Sequence, residues 1–147
     1  MDSKEFKLYV RKVLLDNGFN EHSNPTCYIK DMGDYYLRSS IDKSTWSDSY
    51  GVEYSIYLKK FNEQAEVIRR EKFSDYDGSF YYSELNIGWF DLDRYTIDEL
   101  KHYILEAIIE GLQDLEQKGI GGLFIEKPNW FSIFHKEYIA EHYGKKE

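Results

Sequence analysis

Val52-Glu53-Tyr54-Ser55-Ile56-Tyr57-Leu58-Lys59-Lys60 is the stretch on which the fold turns. Val52, Tyr54, Ile56 and Leu58 alternate with Glu53, Ser55, Tyr57 and Lys59, and successive side chains of an extended chain point to opposite faces. The period of two predicts a strand over Val52–Lys60 with one face in a core and the other partly wet. Upstream, Thr26–Lys30 and Tyr35–Ile41 read as strands joined by a turn at Asp31-Met32-Gly33-Asp34. A polar loop, Asp42–Tyr50, follows them. Downstream, Glu66–Phe73 and Phe80–Phe90 read as further strands. Such a run of hairpins predicts an antiparallel sheet of roughly four to six strands.

Helices flank this sheet. Phe6, Tyr9, Val10, Val13 and Leu14 recur at the three-and-four spacing of one helical stripe, predicting a helix over Ser3–Asn17. Asp2 and Glu5 can form a capping box, and Gly18 can end the helix ahead of Phe19. The longest element is a helix over Ile97–Lys118, opened by a Thr96/Glu99 capping box. Ile97, Leu100, Ile104, Ile108, Gly111 and Leu115 share a face, widened by Leu105, Ile109 and Leu112. Gly119 stops it, Gly121-Gly122 turns the chain into the apolar piece Leu123–Ile125, and Trp130–Tyr143 reads as a last helix. The fold class is therefore α+β, with residues 1–147 as a single domain and the sheet packed against the long helix.

Composition narrows the function. The chain carries 14 Tyr, 9 Phe and 3 Trp at a net charge of -8. Lys and Arg cluster in nothing longer than short pairs such as Lys59-Lys60 and Arg69-Arg70, which argues against nucleic acid. No apolar run reaches the roughly 18 residues of a membrane span. Cys27 is the single cysteine, and Met1-Asp2-Ser3-Lys4-Glu5 lacks a signal-peptide pattern, so the expected compartment is a reducing cytoplasm.

No catalytic or metal motif is complete. Asp75-Tyr76-Asp77-Gly78 with Glu84 resembles the later part of a calcium loop, but Phe73 stands where the first carboxylate belongs. Asp91 and Asp93 could act as paired carboxylates, yet acidic residues ahead of a helix also favour its positive end. His135 and His142 lie about 10 Å apart along a helix, too far to chelate one metal. His102 is near the reach of Glu99 and Glu106, the ordinary pattern of a solvated helix face. His22 and Cys27 lack a third group to orient a base. Gly119-Ile120-Gly121-Gly122 follows a helix, whereas a phosphate cradle follows a strand. The expected cofactor and metal content is none.

The aromatic residues among Ser, Asp and Gly remain. Trp46, Tyr50, Asp75, Tyr76 and Asp77 fall where no apolar periodicity demands burial, and exposed aromatics with adaptable polar neighbours make protein contact surfaces. They are the candidate partner-binding residues. Their carboxylates would steer a basic protein partner. The alternative is a small-molecule-binding protein or enzyme with an aromatic pocket on the sheet, lined by Tyr54, Tyr57, Tyr81 or Trp89. A structural subunit self-associating through its aromatic face is a further possibility.

Three stretches resemble a known family. They are the opening helix closing on Asn17-Gly18-Phe19; Asp42-Lys43-Ser44 followed by Tyr50 and Tyr54-Ser55-Ile56-Tyr57-Leu58; and Thr96-Ile97-Asp98-Glu99-Leu100. Their order looks like a small bacterial family filed as domain of unknown function number 4304. The resemblance implies a cytoplasmic α+β domain of bacterial origin and supplies no catalytic residues. Family members that look like accessory or toxin-neutralising proteins fit the acidic character. The expectation is a non-enzymatic protein-binding module, in the manner of an immunity-type inhibitor that occludes a basic partner.

Overall fold

The computed structural model describes residues 1–22, 26–58, 83–128, 131 and 133–143, with the backbone alone at 83–87 and 133–135. The fold is α+β. Helix α1 (Ser3–Asp16) leads into strands β1 (Asn20–His22), β2 (Cys27–Asp31), β3 (Tyr35–Lys43), β4 (Ser49–Leu58) and β5 (Ser83–Asp91), then helices α2 (Ile97–Glu126) and α3 (Ile133–His142). The strands form one antiparallel sheet in the order β1-β2-β3-β4-β5. The expected strand at Glu66–Phe73, Lys59-Lys60 and residues 80–82 lie outside the described residues.

Local chemistry sets the boundaries. The Asp2 carboxylate accepts from the Glu5 backbone N–H at 2.8 Å, and Glu5 accepts in return from Asp2, so the capping box of α1 is complete. At the other end the Gly18 N–H donates to Leu15 and the Phe19 N–H to Leu14. That double closure is the Schellman arrangement, and it seats Phe19 in the core. Thr96 and Glu99 repeat the capping box at the start of α2. Strand β1 was not anticipated: Asn20-Glu21-His22 is a polar triplet with no alternation, and its pairing with Cys27–Ile29 creates it.

Beneath the helices, Tyr35, Leu37, Tyr50, Val52, Tyr54, Ile56 and Leu58 meet Phe6, Val10 and Leu14 of α1 and Leu100, Ile104, Ile108, Leu112 and Leu115 of α2 in one core. Burying an aliphatic or aromatic side chain of this size contributes about 1.5–3 kcal/mol. Tyr54 is the largest side chain fully enclosed among the described residues, and its hydroxyl donates to the Ile108 carbonyl at 3.1 Å, tying the central sheet to α2. Three apolar residues predicted for the α2 stripe fall outside this core, among them the half-buried Ile109. Ile97 and Leu105 are about two-fifths exposed, because the face centred on Ile104 and Ile108 turns them to its margins.

The other face of the sheet corrects a second expectation. Ser55 and Tyr57, read as partly wet, are buried, and Tyr57 clusters with Cys27 and Ile29 against Tyr36. Strand β4 is thus enclosed on both faces, as a central strand can be.

Helix α2 breaks at Gly119, whose φ of 67° lies in the left-handed region that favours glycine. The stop is where the sequence put it, but the apolar piece Leu123–Ile125 is helical and completes α2. Its backbone runs hard against the end of α3, where a Cβ at Gly121 would collide with the Tyr143 carbonyl oxygen.

Two substitutions check this packing. Gly121→Ala drives a methyl group into backbone, and we expect a loss of about 1–3 kcal/mol, read as a lower urea midpoint at unchanged slope. Ser39 is fully buried on the core face and its hydroxyl has no hydrogen-bond partner among the described residues. Ser39→Ala should raise stability by about 1 kcal/mol; a comparable loss would show that the hydroxyl is bonded.

Burial also makes the fold sensitive to alkali. It pushes the Tyr35 phenol up to about 12, helped by the nearby Asp34 and Glu116 carboxylates, and pushes Tyr54 up as well. Both phenols hold their protons more tightly folded than unfolded. Above pH 10 the unfolded chain therefore binds fewer protons, and stability falls as pH rises from about 10 to about 12. Denaturant titrations across that window should show the fall, and Tyr35→Phe should make it shallower.

Candidate functional site

The β3–β4 hairpin closes at the rung Lys43–Tyr50, leaving Ser44 to Asp48 to reverse the chain. Hydrogen bonds pin these five residues. The Ser44 N–H donates to the Ser49 carbonyl at 2.9 Å, and the Trp46 N–H donates to the Ser44 hydroxyl at 3.1 Å. The Ser47 hydroxyl donates to Ser49 at 3.1 Å, and the Lys43 ammonium reaches the carbonyls of Ser44 and Ser47 at 3.4 Å each. Just past the end of β5, the Leu92 N–H donates to the Asp48 carbonyl at 3.4 Å. Trp46 rides on this frame with 93% of its surface exposed.

A second indole stands at the same end of the sheet. Gly51 pairs with Trp89, and the Trp89 ring folds over that glycine, so that a Cβ there would meet it at 3.0 Å. Trp89 lies on the outer face and is 48% exposed. Asp42, which pairs with Gly51 from β3, shares this face. Asp48, Asp91 and Asp93 complete an acidic rim, and Asp91 accepts from the Asp93 N–H at 3.1 Å. That bond makes Asp91 and Asp93 a turn between β5 and α2 rather than a proton-transfer pair.

The candidate residues separate. Trp46 is exposed as expected. Tyr50 is not: it is 6% exposed, 5.4 Å from Phe6 between ring centroids, with the Lys7 and Lys43 ammonium groups 5.9 and 5.7 Å from its ring centre. The loop assigned to Asp42–Tyr50 is shorter than expected, since β3 runs to Lys43 and β4 starts at Ser49. Tyr50 thereby joins Val52 and Tyr54 on the inner face, a parity already visible in the alternation. Asp75, Tyr76 and Asp77 lie outside the described residues, as does the calcium-loop pattern apart from the backbone at Glu84.

The aromatic pocket expected on the sheet has no common face. Tyr54 points inward and is sealed by α2 and by Phe19, stacked on it at 5.9 Å; Tyr57 and Trp89 point outward; Tyr81 lies outside the described residues. A different cavity, of about 480 Å³, opens at the helix break, lined by Asp34, Tyr35, Glu116, Lys118, Tyr143 and the glycine-rich Gly119–Gly122 stretch, with Met32 and Leu115 as apolar neighbours. Its groups come from the β2–β3 turn, α2 and the end of α3, so no local motif announced it.

His102 pairs with Glu106 at 2.9 Å on the exposed side of α2, and His142 stacks on Tyr138 at 4.0 Å. Among the described residues no three His, Cys, Asp or Glu side chains group to hold a metal ion, and no helix is long and apolar enough to cross a membrane. Comparison with family models, curated proteins and solved structures returns no match.

Truncation separates surface from core here. Trp46→Ala should leave the unfolding midpoint within about 0.5 kcal/mol of the parent, while Tyr50→Ala should cost about 3–5 kcal/mol. Acrylamide quenching should lose its most accessible component in Trp46→Ala; an unchanged quenching curve would place the indole under cover.

Proposed function

We propose that the protein is a non-enzymatic protein-binding module whose contact element is the β3–β4 hairpin tip, presenting Trp46 to a basic partner. The observation that carries this reading is a 93% exposed tryptophan on a loop held by hydrogen bonds on both sides. An exposed indole gains a large apolar contact when a partner covers it, and a pinned loop loses little entropy in docking. Trp89 offers a second aromatic surface beside it, and Asp42, Asp48, Asp91 and Asp93 favour a cationic partner at a net charge of -8.

Occlusion is the mechanism. The carboxylates speed encounter, the indole anchors the complex, and the partner's own basic surface is covered. A cytoplasmic, bacterial, immunity-type inhibitor works in this way, and the resemblance to domain of unknown function number 4304 belongs to the same proposal.

The test is capture from the lysate of the source organism at low and at about 1 M salt, followed by titration of the purified partner. A stoichiometric basic protein should be retained at low salt and released at high salt. Trp46→Ala should weaken its binding at least about 30-fold, the effect of a hot-spot residue. Equal binding by parent and Trp46→Ala would remove the hairpin tip from the interface.

A further inference from the structure

The cavity at the helix break lies at the opposite end of β3 from Trp46, about 26 Å away along a strand of nine residues. It is a separate site, and its chemistry can be read from charge and shape. Asp34 accepts the Tyr143 hydroxyl through one carboxylate oxygen, which leaves the other, and neither Asp34 nor Glu116 has an ion-pair partner among the described residues. Lys118, the cation on the rim, is already held by Glu126 at 3.1 Å and Asp114 at 3.7 Å. Among the described residues, the two carboxylates of the lining therefore outnumber its one cation, which is engaged by carboxylates outside the lining.

A metal ion is a poor match, because no group of three ligating side chains exists there among the described residues. An organic cation fits better. Tyr35 and Tyr143 supply aromatic wall to cover methylene groups and attract an ammonium. Three of the four residues from Gly119 to Gly122 carry no side chain, Ile120 being the fourth, and a Cβ at Gly119 would meet nothing within 4 Å. A volume of about 480 Å³ is within the range of small-molecule sites. Tyr35 keeps its proton to about pH 12, so its hydroxyl stays a neutral donor and acceptor in ordinary conditions.

We propose that this cavity binds a small aliphatic polyamine, with Asp34 and Glu116 receiving its ammonium groups and Tyr35 and Tyr143 flanking its methylene chain. The arrangement would make the α2–α3 corner sensitive to such a ligand, since Tyr143 both lines the cavity and packs on Gly121.

Spermidine titrated into the isotope-labelled protein at about 0.15 M salt tests this, read by amide NMR shifts, with citrate and magnesium chloride at matched ionic strength as controls. We expect saturable shifts confined to Tyr35, Glu116 and Gly119 to Gly122. Glu116→Gln changes only an exposed side chain and should weaken binding about fivefold, whereas Asp48→Asn at the far end should not. Shifts that grow linearly across the acidic surface would overturn the proposal. So would equal affinity in Glu116→Gln, or the same response to magnesium. None of these results depends on Trp46, so this site and the hairpin contact stand or fall separately.

Discussion

The burial of Val52, Tyr54, Ile56 and Leu58 beneath α2 is the constraint on which the remaining structure depends. A one-residue slip of β4 would turn Glu53 and Ser55 into the core and all four apolar side chains out, so the register admits no neighbour. Tyr54 tightens this further, because its hydroxyl must find the Ile108 carbonyl once the ring is enclosed. With β4 placed, Tyr50 must point inward, under Phe6 and beside Phe90. The chain then has only Ser44 to Asp48 in which to return from β3, and those residues cannot reach the core. Trp46 is exposed as a consequence of a register settled some twenty Å away in the sheet.

The proposed contact rests on the same frame. An indole exposed on a loose loop would be an ordinary surface residue. Here the loop bonds to both flanking strands and, through Leu92, to the start of the β5–α2 connection, so the indole has a defined position. Part of the acidic rim around it arises from turn chemistry: the Asp91 carboxylate accepts the Asp93 N–H and its charge comes with that role, whereas Asp48 shapes the connection only through its backbone carbonyl. The opposite end of the sheet repeats the theme with different parts, since the helix break at Gly119 both admits α3 and leaves a carboxylate-lined space.

Much of the fold could be read from periodicity. The alternation in β4, the stripe of α1, both capping boxes and the break at Gly119 are local signals, and each is an element boundary or a buried face in the structure. What escaped reading depends on tertiary pairing. Asn20-Glu21-His22 is a strand only because β2 lies beside it, and Tyr57 is buried on a face whose sequence, Glu53-Ser55-Tyr57, looks half polar. The site was legible at Trp46, where the neighbours are all short and polar. It was misread at Tyr50, where the adjacent Ser49 and Asp48 masked the parity shared with Val52. The cavity was invisible, because Asp34, Glu116 and Tyr143 are far apart in the chain and the glycine stretch signals only a break.

The central claim is that Trp46 sits inside an interface in the living cell, and photochemical cross-linking from that position tests it most directly. A photo-reactive phenylalanine would replace Trp46 in one strain and the exposed Glu110 of α2 in another, each irradiated before lysis. The account predicts one dominant adduct with a basic protein from the Trp46 position and none from Glu110. No adduct at Trp46, or the same products from both positions, would contradict it.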